Sequence, residues 1–185
     1  MRPVGGQIIF LNGTSSSGKS SIAEELLRIL DTPYFHLPVD AFNAMRARRD
    51  LAPEQLEIVL ERTVLGFHRA VAGMAAAGND IVVDHVLRER SWLLDCLTLF
   101  APYDVVFVGV RCPLLELERR ERVRGDRQPG RAAYQFDRVH SHGLYDVECD
   151  TSTSTPQDCA AQITTILPRS ASTRAFDRLR EDYVN

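Results

Sequence analysis

Eight residues near the start of the chain combine glycines, hydroxyls and one amine at a spacing that could do chemistry. They are Gly13-Thr14-Ser15-Ser16-Ser17-Gly18-Lys19-Ser20, which matches the pattern G-x-x-x-x-G-K-[ST]. In that pattern the loop N–H groups and the start of the following helix surround nucleotide phosphates. The lysine reaches the β- and γ-phosphates, and the last hydroxyl binds Mg²⁺. We therefore expect Lys19 to be catalytic, Ser20 to bind the metal, and the loop as far as Ser21 to bind the nucleotide.

Two aspartates follow apolar stretches at positions where phosphate transfer would need carboxylates. Asp40 follows the strand-like stretch Tyr34 to Val39, and Asp84 ends a very apolar run that begins at Asp80. The carboxyl ends of neighbouring parallel strands meet at one edge of a sheet, so both carboxylates should flank the terminal phosphate. One carboxylate can hold Mg²⁺ while the other accepts the proton of an attacking hydroxyl. We assign Asp40 as the general base and Asp84 to the metal.

The segment after Asp40 has the side chains expected of a pocket for the acceptor. Phe42 and Met45 supply aromatic and thioether surface next to the proposed base. The residues at the end of the other strand should lie beside the same pocket: Asp84, His85 and Val86. For His85 the sequence leaves open whether it orients the acceptor or is a structural histidine. Three arginines in the same segment would suit an anionic or sugar-rich acceptor: Arg46, Arg48 and Arg49.

A later stretch interleaves arginines with glycines and a proline and has no apolar pattern of its own. Because Gly125 and Gly130 could act as hinges, we predict an arginine-rich lid at about residues 118–135 that closes over phosphates. Its nucleotide-binding arginines would be Arg124, Arg127 and Arg131, with Arg127 also catalytic. Arg119 and Arg122 are instead expected on a solvated helix face.

Alternating apolar and helical stretches predict the framework that positions these residues. The predicted strands are 8–11, 34–39, 80–86, 104–112 and 145–149, and the intervening stretches have helical periodicity. This order indicates an α/β fold, a single-domain P-loop kinase with a five-stranded parallel sheet and helices on both faces. Residues 155–158 are typical of a helix start, and His68 is predicted to be a flanking or surface histidine. The stretch after residue 170 is either a small helix or a frayed tail.

Length and charge narrow the class of protein. The 185 residues with a net charge of −3 fit one domain covering residues 1–185 and argue against general binding to nucleic acids or membrane surfaces. No signal peptide or run of ~20 apolar residues is present, so we expect a cytoplasmic protein whose partner is a small hydroxyl compound. The sequence leaves open whether the protein forms a homo-oligomer. The four cysteines lack metal-binding spacing and are predicted to be buried thiols: Cys96, Cys112, Cys149 and Cys159.

The sequence resembles the chloramphenicol phosphotransferase-like P-loop kinases over roughly residues 7–167. The resemblance rests on IIFLNGTSSSGKSS, LPVDAF, IVVDHV, VVFVGVRCPLLELERRE followed by RGDR, and VHSHGLYDVECDTS. It implies that ATP, with Mg²⁺, donates its γ-phosphate to a hydroxyl of a small antibiotic-like molecule, which gives resistance or self-protection. It also implies that Asp40 is the general base, that Arg124 and Arg127 belong to the lid, and that Thr151 and Ser152 lie near the adenine.

Two other functions fit the same residues. The first is a metabolic small-molecule, sugar or nucleoside/nucleotide kinase on the same scaffold, which the arginines after Asp40 favour. The second is a nucleotide-dependent switch without catalysis. A switch would not need a carboxylate on the acceptor side, and the chain has no NKxD motif for guanine.

Overall fold

The computed structural model describes residues 5–47, 49–125, 130–168 and 173–183, with the side chain of Arg124 excepted. Five parallel strands form one sheet in the order β2-β3-β1-β4-β5. The strands are β1 (Ile8–Asn12), β2 (Tyr34–Pro38), β3 (Asp80–His85), β4 (Val105–Arg111) and β5 (Val147–Asp150). The predicted α/β fold with a five-stranded parallel sheet is therefore confirmed, including the adjacency of β1, β3 and β2.

Helices cover both faces of the sheet. They are α1 (Lys19–Ile29), α2 (Val39–Met45), α3 (Pro53–Ala76), α4 (Arg90–Leu99), α5 (Leu114–Arg124), α6 (Arg131–Val139), α7 (Pro156–Thr165) and α8 (Ala175–Tyr183). Residues of α1 and α7 pack with Ile9 and Leu11 on one face, and residues of α3, α4 and α8 pack with Ile8 and Phe10 on the other. Because successive side chains of a strand point to opposite faces, the fully apolar run of β1 is explained by this double cover. No helix within the described ranges is long and apolar enough to cross a membrane.

Local capping explains where the last two helices begin. The Thr155 hydroxyl accepts a hydrogen bond from the Asp158 N–H, and the Asp158 carboxylate accepts one from the Thr155 N–H. This capping box starts α7 where the sequence predicted a start. The Asp146 carboxylate accepts the Ala175 N–H at 2.8 Å, and Arg174 forms a buried ion pair with Asp104 at 3.0 Å. The described part of the C-terminal stretch is thus a docked helix rather than a frayed tail.

Three element predictions need correction. Strand β2 ends at Pro38, so Asp40 lies in the first turn of α2 and not at a strand end. The proline has no N–H to continue the ladder, and the chain turns directly into the helix. Strand β5 begins only at Val147, because the two preceding residues bond back to β1 and β4 instead.

Helix α6 is the third correction, since the arginine-rich stretch contains a regular helix that the sequence analysis did not predict. Its buried side chains are Ala132, Gln135 and Val139, three positions at helical spacing on one face. Helix α6 is strongly amphipathic, so this spacing was a signal that the sequence analysis missed.

Candidate active site

The phosphate-binding loop connects the end of β1 to the start of α1 at the centre of the sheet. Gly13 follows β1, and a Cβ there would lie 2.6 Å from the Val110 carbonyl oxygen, so only glycine fits. Gly18 precedes α1 with φ of 94°, a left-handed conformation that glycine adopts without strain. The loop N–H groups therefore precede the positive end of the α1 dipole, which is the arrangement that binds phosphate.

Lys19, Ser20 and Asp84 come together below this loop. The Lys19 ammonium donates to the Thr14 carbonyl oxygen at 2.8 Å and lies 3.7 Å from an Asp84 carboxylate oxygen. The Ser20 hydroxyl donates to the other Asp84 oxygen at 2.6 Å. Both side chains proposed to bind Mg²⁺ are therefore in direct contact, and Lys19 and Asp84 are both buried.

His36 is the nearest additional titratable group on the Asp84 side. Its Nε2 lies 3.9 Å from Asp84 Oδ2 and is buried without a hydrogen-bond partner among the described residues. Burial lowers the pKa of His36 below its ordinary value, and the Asp84 carboxylate opposes this only in part. His36 is therefore neutral at physiological pH and does not neutralise the charge of the Asp84 carboxylate. That carboxylate can then interact with other cations.

A small cavity of about 50 Å³ lies directly over the loop. Its lining joins the loop to three other elements: Ser15, Ser16, Gly18, Lys19, Ser20, Ser21, Val39, Asp40, Asp84 and Val86. Asp40, although it begins a helix rather than ending a strand, therefore reaches the same cavity as Lys19 and Asp84. We call this space the phosphate pocket.

A larger cleft of about 620 Å³ adjoins the phosphate pocket. Its lining comes from α2, α3, the end of β3, α4 and α6: Val39, Asp40, Asn43, Leu56, Leu60, Val64, His85, Val86, Arg88, Trp92, Gly130, Arg131, Tyr134 and Gln135. Val39, Asp40 and Val86 line both spaces, so the two are continuous. We call the larger space the acceptor cleft, because its size suits a small organic molecule.

The predicted acceptor residues of α2 occupy other positions. Phe42 packs edge-on against Phe67 of the core, with ring centroids 5.0 Å apart, and Met45 is 74% exposed. Neither side chain lines the cleft, and Asn43 is the residue between them that does. The helical turn explains this. Positions 40 and 43 lie on one face of the helix, and positions 42 and 45 lie on another.

The arginines after Asp40 are likewise outside the lining. Arg46 and Arg49 do not border the acceptor cleft, and Arg48 lies outside the described residues. The cations that do line the cleft are Arg88 and Arg131, which come from the loop after β3 and from α6. Arg88 was missed because nothing in the sequence near it marks a ligand site.

The described part of the predicted lid, which stays a prediction, consists of most of α5 and the first half of α6. The Glu121 carboxylate of α5 accepts the N–H groups of Gly130 and Ala132, and the Gln135 side-chain oxygen accepts the Ser15 N–H at 2.8 Å. Helix α6 is thus tied both to α5 and to the phosphate loop. The predicted lid residue Arg127 lies outside the described residues, as does the side chain of Arg124.

A third cavity of about 350 Å³ borders the other side of the loop and contains Arg120, which the sequence analysis did not select. Arg120 donates to the Thr151 hydroxyl at 3.0 Å and to the Thr151 carbonyl at 2.8 Å. The Thr151 hydroxyl donates in turn to the Ser17 carbonyl at 2.8 Å. Thr151 lines this cavity beside the loop, whereas Ser152 is exposed and bonds to Asp150.

His68 was wrongly predicted as a flanking or surface residue, because it is fully buried in a histidine pair. The Val86 N–H donates to His85 Nδ1 at 2.7 Å, so His85 carries its proton on Nε2. His85 Nε2 then donates to His68 Nε2 at 2.9 Å, and His68 Nδ1 donates to Asp95 at 2.6 Å. Burial lowers the pKa of both histidines, which keeps both neutral and the chain of donors unbroken.

A second histidine group fixes the end of β1 on the opposite side. The buried Asn12 side chain donates to the Val139 carbonyl at 2.8 Å and to the Tyr145 hydroxyl at 2.9 Å. The Tyr145 hydroxyl donates to His140 Nδ1 at 2.6 Å. Burial lowers the pKa of His140 to about 3, so its Nδ1 is available as an acceptor. Tyr145 therefore supports the end of β1, from which the phosphate-binding loop begins, and is not part of that loop.

Comparisons with known proteins agree with this architecture. The APS kinase CysC of Mycobacterium tuberculosis, solved in complex with AMPPNP and APS, superimposes with a TM-score of 0.69 at 17% identity, covering 90% of this chain and 100% of that one. The tunicamycin resistance protein of Deinococcus radiodurans has a TM-score of 0.64 at 17% identity, covering 89% of this chain and 97% of that one. At such identities the likeness establishes the fold, which is that of the P-loop kinases.

The sequence comparisons identify the family. The profile of the "Chloramphenicol phosphotransferase-like protein" family matches residues 6–168. A Mycobacterium tuberculosis protein named "Putative O-phosphotransferase Rv2636" is 27% identical over 208 residues, covering 97% of this chain and 90% of that protein. The chain belongs to the chloramphenicol phosphotransferase-like family, and it is an enzyme that transfers phosphate to a hydroxyl group.

Proposed function

We propose that the protein is an ATP-dependent kinase that phosphorylates a hydroxyl of a small antibiotic-like molecule bound in the acceptor cleft. Asp40 and Val86 line both the phosphate pocket and the acceptor cleft, and this junction supports the proposal most directly. A carboxylate at the junction can contact the acceptor and the transferred phosphate together. A nucleotide switch without catalysis would need no such cleft.

In the proposed reaction the acceptor hydroxyl oxygen attacks the γ-phosphorus of ATP. The new P–O bond forms as the bond to the β–γ bridging oxygen breaks, and ADP leaves with that electron pair. Asp40 accepts the hydroxyl proton. Lys19, which lies under the loop, stabilises the charge on the β- and γ-phosphates, while the loop N–H groups hold the phosphates in place.

The residues below the loop fit Mg²⁺ in their chemistry. Ser20 and Asp84 are adjacent oxygen ligands, and Mg²⁺ in kinases is usually held by one or two protein oxygens together with waters and phosphates. When bound, the ion would neutralise charge on the β- and γ-phosphate oxygens. No cluster of three or more His, Cys, Asp or Glu residues suited to a metal occurs within the described ranges.

We propose further that the 350 Å³ cavity beside Arg120 and Thr151 holds the nucleotide base. The Arg120 guanidinium is planar and is held by hydrogen bonds to Thr151, so it can stack against a flat ring. Arg131, with Arg124 and Arg127, would complete the lid over the phosphates. The lid arginines are expected to act on charge that develops during transfer.

The kind of acceptor decides between two roles. The family name and the neutral surface contributed by α3 support an antibiotic-like acceptor and a role in resistance or self-protection. The two arginines in the cleft lining favour a metabolic small-molecule kinase as the second candidate.

A screen of phosphate acceptors tests the proposal. The purified protein would be incubated with ATP, Mg²⁺ and a panel of hydroxylated antibiotics, sugars and nucleosides, and each product examined by mass spectrometry for the gain of one phosphoryl group. Transfer that disappears in Asp40→Asn supports the proposal. ATP hydrolysis at one constant rate with every compound, and no phosphorylated product, would contradict it.

A further inference from the structure

The acceptor cleft contains one cation for which the proposed transfer has no use. Arg88 follows β3 and lines the cleft, with its guanidinium carbon 4.9 Å from the Trp92 ring centroid and 5.8 Å from that of Tyr134. Both distances are within the range of cation–π interaction. The arginine side chain is only 30% exposed, so its charge is held against two aromatic rings rather than in bulk water.

The backbone that carries Arg88 is anchored. The Leu87 N–H donates to the Asn12 side-chain oxygen at 2.9 Å, and the Arg88 N–H donates to the Val86 carbonyl at 2.9 Å. Asn12 is itself fully buried and bonded to Val139. Because the loop is fixed from below, the guanidinium loses little conformational freedom when it binds a ligand.

The donors of Arg88 are only partly used. Its ionic partner in the described part of the chain is Glu89, whose carboxylate lies 3.5 Å from Nε. The two terminal nitrogens, Nη1 and Nη2, have no hydrogen-bond partner among the described residues. A guanidinium in this state offers a planar pair of N–H donors, the geometry that binds a carboxylate or phosphate in a bidentate manner.

The surroundings of Arg88 would strengthen such an interaction. Leu56, Leu60 and Val64 of α3 form an apolar wall of the same cleft, so this wall offers no polar group that competes with Arg88 for a bound anion. The one acidic residue in the lining is Asp40, which belongs to the junction with the phosphate pocket.

We propose that the acceptor carries an anionic group, a carboxylate or a phosphate, that Arg88 binds through its terminal nitrogens. This rests on the proposed function, in which the cleft holds the acceptor and its hydroxyl lies near Asp40. The substrate class is thus a hydroxylated carboxylic acid or phosphate ester, and Arg88 determines the specificity for its charge.

Trp92 is the only tryptophan of the chain and contacts Arg88, so its fluorescence reports directly on this site. Three probes with the same hydroxyl and ring would be titrated: para-(hydroxymethyl)benzoate, para-(hydroxymethyl)phenyl phosphate and the neutral para-(hydroxymethyl)benzamide. At least one anionic probe should bind about tenfold or more tightly than the benzamide, and the better of the two identifies the anionic group.

Three variants assign the preference to Arg88. Arg88→Gln should bind the anionic probes and the benzamide alike, and Arg88→Lys should keep only part of the preference because it loses the bidentate fork. Arg90→Gln is the matched control, since Arg90 lies two residues away, is exposed, stacks on Tyr183 and is absent from the cleft lining. It should keep the full preference.

Equal affinities of the unmodified protein for all three probes would overturn the proposal, as would no saturable change with either anion. A preference that survives in Arg88→Gln would also overturn it. The same probes tested with ATP separate this proposal from the proposed function. Anion-selective binding without any phosphate transfer would refute the transfer and support the anion site. Equal transfer rates to the benzoate, the phosphate and the benzamide would support the transfer and refute the anion site.

Discussion

The phosphate pocket and the acceptor cleft share Asp40 and Val86 but are built in different ways. The phosphate pocket is formed mostly by one continuous segment, residues 13–21, whose backbone supplies many of the donors. The acceptor cleft is formed by side chains of four helices and the end of a strand, far apart in the chain. A substitution in the pocket should therefore change catalysis with any acceptor, whereas a substitution in the cleft should change which acceptor is used.

The largest effect should follow Lys19→Ala in the phosphate pocket. Its ammonium is the buried cation beside the loop, and loss of a cation that contacts the transferred phosphate costs on the order of 10³–10⁵ in kcat. The expected result is near-complete loss of transfer with every acceptor, measured with ATP at saturation. The thermal midpoint should change little if the loss is catalytic. A variant with normal turnover would show that the loop is not part of the catalytic site.

Asp40→Asn tests the junction between the two regions. Asparagine keeps the size but cannot take the hydroxyl proton, so kcat should fall on the order of 10²–10⁴ while the affinity for ATP stays close to normal. Because the transition state of phosphate transfer is often loose, the hydroxyl proton leaves late. The fall in kcat can therefore lie at the lower end of this range. An unchanged kcat would remove Asp40 from catalysis and leave it as a residue of the cleft wall.

Asp84→Asn is expected to differ from Asp40→Asn although both residues line the phosphate pocket. Weakening an oxygen ligand of a hard cation should raise the Mg²⁺ concentration needed for half-maximal rate, by about tenfold, and added Mg²⁺ should restore part of the activity. The readout is the Mg²⁺ dependence of kcat in both variants. Restoration of Asp40→Asn and not of Asp84→Asn would mean that the two roles must be exchanged.

The contrast between the two regions also explains what the sequence could predict. The loop and its contact with Asp84, the proposed metal ligand, were predictable because the motif is contiguous and because Asp84 lies near the end of a strand adjacent to β1. The cleft was not, since Leu60, Trp92 and Tyr134 belong to three different helices whose packing no local pattern encodes. The sequence did indicate a carboxylate at position 40, although it placed that residue at a strand end.

His68 illustrates the same limit. Its partners His85 and Asp95 are 17 and 27 residues away, so no spacing rule connects the three. Phe42 was misassigned for a related reason, because an aromatic side chain next to a proposed base can face the core as readily as the site. Side-chain direction depends on the helix that follows β2, and the sequence analysis placed Val39 in the strand although α2 begins there.

Arg120→Ala should affect the nucleotide and leave the acceptor cleft unchanged. Loss of the planar group beside Thr151 should raise the KM for ATP by about tenfold, with a small change in kcat and in the KM for the acceptor. Arg122→Ala is the matched control on the same helix, because Arg122 is exposed and is absent from the lining of this cavity. Equal effects of both variants would place the base elsewhere.

The smallest effect concerns the histidines that support the two regions from behind. Burial lowers the pKa of all five histidines of the chain, to about 3 for His140 and about 4 for His142. In the unfolded chain each takes up a proton below about pH 6.5. The unfolded state therefore binds more protons between that pH and the folded pKa values. The contribution of these neutral histidines to the free energy of unfolding is complete above about pH 6.5. It is lost progressively as the pH falls toward 4 and 3.

Thermal unfolding followed by circular dichroism should therefore give a Tm about 10 °C or more lower at about pH 5 than at about pH 7. Asp146 has the opposite effect on the pH dependence of stability, because burial raises the pKa of its carboxyl group. This effect is confined to the pH range in which carboxyl groups titrate. Replacing His140 and His142 by glutamine should lower the Tm at neutral pH and flatten its pH dependence, since two of the protonating groups are gone. A slope that is unchanged in the double variant would assign the acid sensitivity to His36 and the His68–His85 pair.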